Sequence, residues 1–343
     1  MSTSSLMRQC TRGVIGGVML AGVLLITGCG KQGTGPVAAH AGPRGMTVLY
    51  TCDTQGYIFP CDCEGGAEGG IGRRARFLSE QPSTNRLLVD AGNFVAGGRD
   101  WEVLQARYLL RGYALMHYDA VNLGHREAGL SVDTLKALRA EYPRLVSANL
   151  LDAGGQPVVD PFVVVKLTDG TRVGIIGIMD DSLPARELGK GLTIAPPDNA
   201  LGRYLPELRK QSDVVVLLAF ADEDTMLNLA NLFYELSVIV GGRVPQPTAK
   251  PWTMNQAVVV AVTDKGKRIG RLDVDLAHGP VGAVTNVITS LTTSCADDPA
   301  AARIQQDYQA ALKAQDFTPR RSFIDDSEGL TIIDARKPVE AKP

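Results

Sequence analysis

Three of the six cysteines in this 343-residue chain crowd one short stretch. Cys52 stands next to Asp53, and Cys61 and Cys63 follow around Asp62. Two thiols one residue apart can close a strained and therefore oxidising disulfide, with Cys52 as a resolving partner. Three thiolates together could instead hold a soft ion such as Cu(I). A third reading is a plain structural staple from Cys52 to Cys61 or Cys63, with Cys295 taking the thiol left over. All three readings stay open at this level. Asp53 adds a carboxylate to the same place.

The elements around these residues decide whether they can meet. Thr47 to Thr51 is a β-branched, apolar run that predicts a buried strand, with Cys52 and Asp53 at its carboxyl end. Ligands of α/β sheets bind at such ends. Gly69-Gly70-Ile71-Gly72-Arg73-Arg74 then opens an amphipathic helix, and its glycines suit a phosphate cradle or a sharp turn. Leu87 to Asn93, Tyr118 to Glu127, Leu145 to Leu150, Asp213 to Phe220 and Ser237 to Arg243 read as further strands. Helices are expected over 73–80, 101–117, 132–141, 201–210, 224–235 and 298–313. Two hairpins are expected, 162–178 around Thr168-Asp169-Gly170-Thr171 and 257–274 around Lys265-Gly266-Lys267. Alternating strands and helices with inserted hairpins predict a layered α/β sandwich.

Composition and the N-terminus set the compartment. A formal net charge of −2 lacks the basic excess of a nucleic-acid surface. Four histidines, His40, His117, His125 and His278, are few for metal chemistry. Arg8 and Arg12 precede the apolar run Val14 to Leu25, and Ile26-Thr27-Gly28-Cys29 follows, which has the form of an export signal. Its ending resembles the bacterial lipobox, which implies lipidation of Cys29 and a membrane anchor there. The expected organisation is a lipoprotein signal over 1–28, a Gly/Ala/Pro-rich tether over 29–45, a folded domain over 46–292, and a C-terminal helix with a polar tail over 293–343. The working compartment is then extracytoplasmic, where disulfides persist.

The order of the strand ends resembles the metallophosphoesterase superfamily, in particular its 5'-nucleotidase and UDP-sugar hydrolase branch. That branch shows T-N-D-x-H-G, D-A-G-D, G-N-H-E, a lone His after an apolar strand, and G-G-H-x-H. Here the corresponding residues are Thr51-Cys52-Asp53-Thr54-Gln55-Gly56, Asp90-Ala91-Gly92-Asn93, Gly124-His125-Arg126-Glu127, Leu217-Leu218-Ala219-Phe220 and Gly241-Gly242-Arg243-Val244-Pro245. The resemblance covers roughly residues 47 to 276 and implies a single four-layered α/β/β/α sandwich. It also implies two divalent metal ions that clamp a phosphoryl group and activate a water. A Cys-x-Cys at this place resembles a subgroup of the branch in which some members carry selenocysteine, which favours redox work.

The resemblance carries over unevenly. Asp53 keeps the first carboxylate, Gln55 replaces the first His, and Asn93 replaces the bridging Asp. His125 falls where the ligand Asn belongs and Arg126 where the helper His belongs, with Glu127 after them. Phe220, Arg243 and Pro245 stand at the remaining histidines. These substitutions point to a lost two-metal site; a single surviving ion would rest on Asp53, Asn93 and His125. Arg126 and Arg243 could instead offer fixed positive charge to a small oxyanion, or simply pair with Asp53, Glu127 or Asp222. Three functions follow for test: a redox or thiol-binding protein with a redox partner, a non-catalytic oxyanion- or partner-binding module, and a metal-dependent phosphoesterase.

Overall fold

The computed structural model describes residues 45–63, 66–276 and 282–315, without the side chains of 62–66. The export signal, Cys29 and the polar tail lie outside the described residues. In chain order the strands are β1 Gly45–Thr51, β2 Cys61–Cys63, β3 Gly66–Glu68, β4 Arg86–Asp90, β5 Ala120–Asn122, β6 Leu145–Val146, β7 Leu150–Leu151 and β8 Phe162–Lys166. They continue with β9 Arg172–Met179, β10 Thr193–Ile194, β11 Val214–Phe220, β12 Val238–Gly241, β13 Trp252–Met254, β14 Ala257–Ala261, β15 Arg268–Asp275 and β16 Val284–Ser290. The helices are α1 Ile71–Ser79, α2 Asp100–Leu115, α3 His125–Ala128, α4 Val132–Glu141, α5 Pro197–Gln211, α6 Glu223–Leu232 and α7 Pro299–Ala314.

Two six-stranded sheets form the body, one ordered β16-β15-β1-β4-β5-β6 and the other β13-β14-β12-β11-β9-β8. Alternation along the second sheet explains the layering. Val214, Val216, Leu218 and Phe220 of β11 join the core shared with the first sheet. Val215, Leu217 and Ala219 face a separate core with Leu201, Leu205 and Leu208 of α5 and Met226 and Leu229 of α6. A strand buried on both faces must be apolar at every position, and β11 reads VVVLLAF. On the other side α7 packs on α1 and α2, with the Tyr308 ring 5.6 Å from that of Tyr108. The result is the expected α/β/β/α sandwich.

Several elements differ from the sequence expectation. The stretch 118–127 gives only a three-residue strand before the chain turns into α3 at His125. The strand expected over 145–150 is split between β6 and β7, which belong to different sheets. The 162–178 hairpin forms, with β8 antiparallel to β9. The 257–274 hairpin does not. β14 pairs parallel with β12, whereas β15 pairs antiparallel with β1 and with β16. Residues 262–267 therefore carry the chain from one sheet to the other, and this crossing passes the site.

Glycine matters at the entrance to α1. Gly70, its N-cap, has φ of 84°, and a Cβ there would meet the Pro60 ring and nitrogen at 2.8 Å. The pair Gly69-Gly70 thus lets two backbones approach, which is the turn reading of this motif.

Candidate functional site

β1, β4, β5, β9, β11 and β12 end on one side of the sandwich, and their following residues converge. Asp53, at the end of β1, has φ of 56°. Its Oδ1 accepts from the Asn93 amide at 2.6 Å and from the Gln55 amide at 2.8 Å. Its Oδ2 accepts from the Thr263 hydroxyl at 3.1 Å. Each of these three donors is neutral. The expected pairing of Asp53 with an arginine does not occur among the described residues.

Asn93 is fixed in orientation by its surroundings. Its Oδ1 accepts from the Arg126 backbone N–H at 2.9 Å, which turns its NH2 toward Asp53. Glu127 anchors the same loops from beneath. It is fully buried and accepts from the backbone N–H groups of Val95 at 2.7 Å, Gly124 at 2.7 Å and Asn93 at 2.9 Å. Burial pushes its carboxyl up to about 7, against those three bonds. Among the described residues no arginine pairs with it. Its role is to hold the turns after β4 and β5 together.

A second cluster forms around Asp180, at the end of β9. His125 Nε2 sits 3.2 Å from Asp180 Oδ1 and 3.1 Å from the Asp180 carbonyl. Its ring meets Phe220 edge-on at 5.2 Å. Arg243, with φ of 55°, donates to Asp180 Oδ2 at 2.5 Å and to the Ser182 hydroxyl at 2.6 Å, and lies 3.8 Å from Asp222. Burial raises the Asp180 pKa, but hydrogen bonds from His125 and Ser182 outweigh it and hold the carboxyl down at about 2. Arg243 thus pairs with Asp222 as expected and with Asp180, which the sequence reading missed. The signal was available: Asp180 directly follows β9, the same kind of strand-end position that Asp53 occupies after β1. Thr263 was missed too, because it lies on the inter-sheet crossing.

Phe220 is 4% exposed and belongs to the core, so at its strand end it supplies packing and no lone pair. Arg126 is exposed and donates to the Ala96 carbonyl at 2.6 Å and the Gln55 side-chain oxygen at 3.3 Å. Both acceptors are neutral. Among the described residues, no group of three or more His, Cys, Asp or Glu is arranged to hold a metal ion.

The cysteines separate. Cys52 is a free thiol, 1% exposed, donating to the Gly92 carbonyl at 3.3 Å. Burial pushes its thiol well above the ordinary value, and Asp90, Asp53 and Glu127 push it further. Gly242 packs directly on its sulfur. The pairings that placed Cys52 in a disulfide with Cys61 or Cys63 are therefore not formed, and its burial removes it from exchange. Cys295 is also free and partly exposed. Cys61 is disulfide-bonded.

Beneath the site runs a buried polar chain. Arg74, fully buried, donates to the Tyr113 hydroxyl at 3.1 Å and to the Thr54 hydroxyl at 3.0 Å, and Tyr113 donates to Asp90 at 2.8 Å. Asp90 in turn accepts from the Gly92 N–H at 2.8 Å. This sets the turn that aims Asn93 at Asp53.

No protein-family profile matches the chain. A 5'-nucleotidase of Vibrio cholerae is 22% identical over 283 residues, spanning 70% of this chain and 50% of the relative. A 2',3'-cyclic-nucleotide 2'-phosphodiesterase/3'-nucleotidase of Yersinia enterocolitica is 29% identical over 235 residues, 59% of this chain and 36% of that protein. The crystal structure of a 5'-nucleotidase precursor from Thermus thermophilus superposes with a TM-score of 0.68 and 25% identity, over 79% of this chain and 59% of that one. The chain thus spans half or less of the length of these two curated relatives. In its sandwich and the order of its strand ends the chain is similar to proteins of the metallophosphoesterase superfamily. Within it, the relatives place the chain beside the 5'-nucleotidase branch.

Proposed function

We propose that this chain is an extracytoplasmic lipoprotein whose phosphoesterase site has become a metal-free hydrogen-bonded plug, and whose working group is the Cys61–Cys63 pair. One observation carries the loss of the metals. The Asn93 amide donates to Asp53 at 2.6 Å, and the bond that orients that amide comes from the backbone. A bridging ligand must present a lone pair toward two cations. Asn93 presents protons, at a carboxylate that also accepts from Gln55 and Thr263. Phe220 offers nothing to coordinate, and Arg243 brings a fixed cation. The family's two ions do not fit these residues.

The thiol part rests on the described cysteines. Cys52 and Cys295 are free, Cys61 is oxidised, and Cys63 is its neighbour across one residue. A disulfide over so short a loop favours reduction and exchange. Among the described residues no helix is long and apolar enough to cross a membrane, and the attachment in this reading is lipid at Cys29. A second reading has support from Arg126, whose exposed guanidinium donates only to neutral acceptors. It suits a small oxyanion bound at the strand ends.

The test uses the full chain purified without added metal or chelator. Free thiols are counted before and after mild reduction, and metal is measured by mass spectrometry on the same sample. The expected result is a gain of two thiols with no stoichiometric metal and no phosphoesterase activity after Mn²⁺ or Zn²⁺ addition. Two firmly bound divalent ions would overturn the plug. A cysteine pair resistant to mild reductant would leave the oxyanion reading.

A further inference from the structure

α4 turns Leu135 and Leu138 into the core and leaves Lys136, Arg139 and Ala140 on its flank. These three residues and the segment Pro157 to Asp160 line a cavity of about 380 Å³. That is at the small end of the range for ligand sites. The segment opposite α4 is held by its backbone. Leu151 bridges Pro157 and Val146 bridges Asp160. The Val158 N–H donates to the Leu150 carbonyl at 3.1 Å, and the Ser147 N–H donates to the Asp160 carbonyl at 2.9 Å. Val158 and Val159 are themselves buried, so this wall is apolar and firmly placed.

The charges in the lining do not balance. Arg139 joins the two walls: its Nη2 donates to both carboxylate oxygens of Asp160, each at 2.7 Å. One nitrogen thus serves both oxygens, where a two-pronged fork would use two. The Arg139 Nε–H is buried with no acceptor among the described residues, a state that costs free energy until something satisfies it. Lys136, one turn earlier, is exposed and joins no ion pair among the described residues. Like charges this close on one helix face repel. Two cations share one acid, and the lining keeps one positive charge.

We propose that this cavity binds a small organic carboxylate with a short aliphatic body. Lys136 donates to the carboxylate at the mouth. A small turn of the guanidinium gives Arg139 Nε–H one of the ligand's oxygens while Nη2 keeps Asp160. The aliphatic body lies against Ala140, Pro157, Val158 and Val159. A divalent inorganic oxyanion fits worse on two counts. It brings more charge than the lining offsets, and it has no apolar part to cover the valines. The site uses none of the strand-end residues and none of the cysteines, so it is independent of the function proposed above.

The experiment is a methyl-NMR titration of the full chain, labelled at valine, with isovalerate as the probe. Saturable shifts of the Val158 and Val159 methyls are expected, and inorganic phosphate should leave both unmoved. Isovaleramide, of the same shape but neutral, should bind about tenfold more weakly, the loss of one charge-assisted hydrogen bond. Lys136→Gln, at an exposed position, should weaken isovalerate about tenfold and leave the amide unchanged. Arg139→Lys keeps the charge but drops the Nε donor, and a several-fold loss is expected. Equal binding of acid and amide, or shifts confined to other valines, would overturn the carboxylate site. Full affinity in Lys136→Gln, or in a folded Arg139→Lys, would do the same.

Discussion

Asn93 differs from aspartate by one atom type, and that difference reverses the demand of the site. As an amide it satisfies Asp53 and needs nothing else. In Asn93→Asp two carboxylates would face each other where one hydrogen bond now stands, and destabilisation of about 2–3 kcal/mol is expected in chelator. Urea denaturation with EDTA and with Mn²⁺ checks it: partial recovery in Mn²⁺ would show that a cation can still be drawn in. Asp180 gives a pH signature. Its folded pKa of about 2 lies below the usual carboxylate value, so its contribution is complete above about pH 4 and fades as the pH falls toward 2. Asp180→Asn should lower stability at neutral pH and flatten this acid limb, read by acid titration of circular dichroism. Glu127 behaves oppositely. With its folded pKa raised to about 7, stability declines as pH rises from about 4.5 to 7 and is level above that.

At the scale of elements, Glu127 is a knot between the turns after β4 and β5. Glu127→Gln would set an NH2 against backbone N–H donors, and a loss of about 1–3 kcal/mol is expected, measured by chemical denaturation. The contact of β12's end with the first strand's end is as tight. Gly242→Ala would drive a methyl into the Cys52 sulfur, costing about 1–3 kcal/mol, and Cys52→Ala should recover much of it in a double-mutant cycle. Legibility in the sequence varied for physical reasons. The β8–β9 hairpin was readable because a four-residue turn joined strands whose neighbours were each other. Lys265-Gly266-Lys267 carried the same signal, yet only burial could say otherwise: β14 is buried at all five positions, as a strand covered on both faces must be. β15 alternates. Strand-end residues with a motif, such as Asp53, Asn93 and His125, were found. Asp180 and Thr263 had no motif and depended on knowing which ends converge.

The whole molecule draws its first sheet from both ends of the described chain and its second from the middle. β1 lies inside the first sheet, parallel to β4 on one side and antiparallel to β15 on the other. Its β15 and β4 neighbours hold it by six and five register pairs respectively. Glycines and core side chains add little direction to such a hold; the backbone ladders do. Any tension entering β1 from its N-terminal side, as from the lipid anchor proposed at Cys29, runs along the strand. Both ladders then share that force lengthwise, and many bonds must slip together before the strand yields. A load on β16, at the rim, would instead peel one pair after another. Were the lipid proposed at Cys29 to hold the protein, the load would fall on the strand best built to resist being pulled.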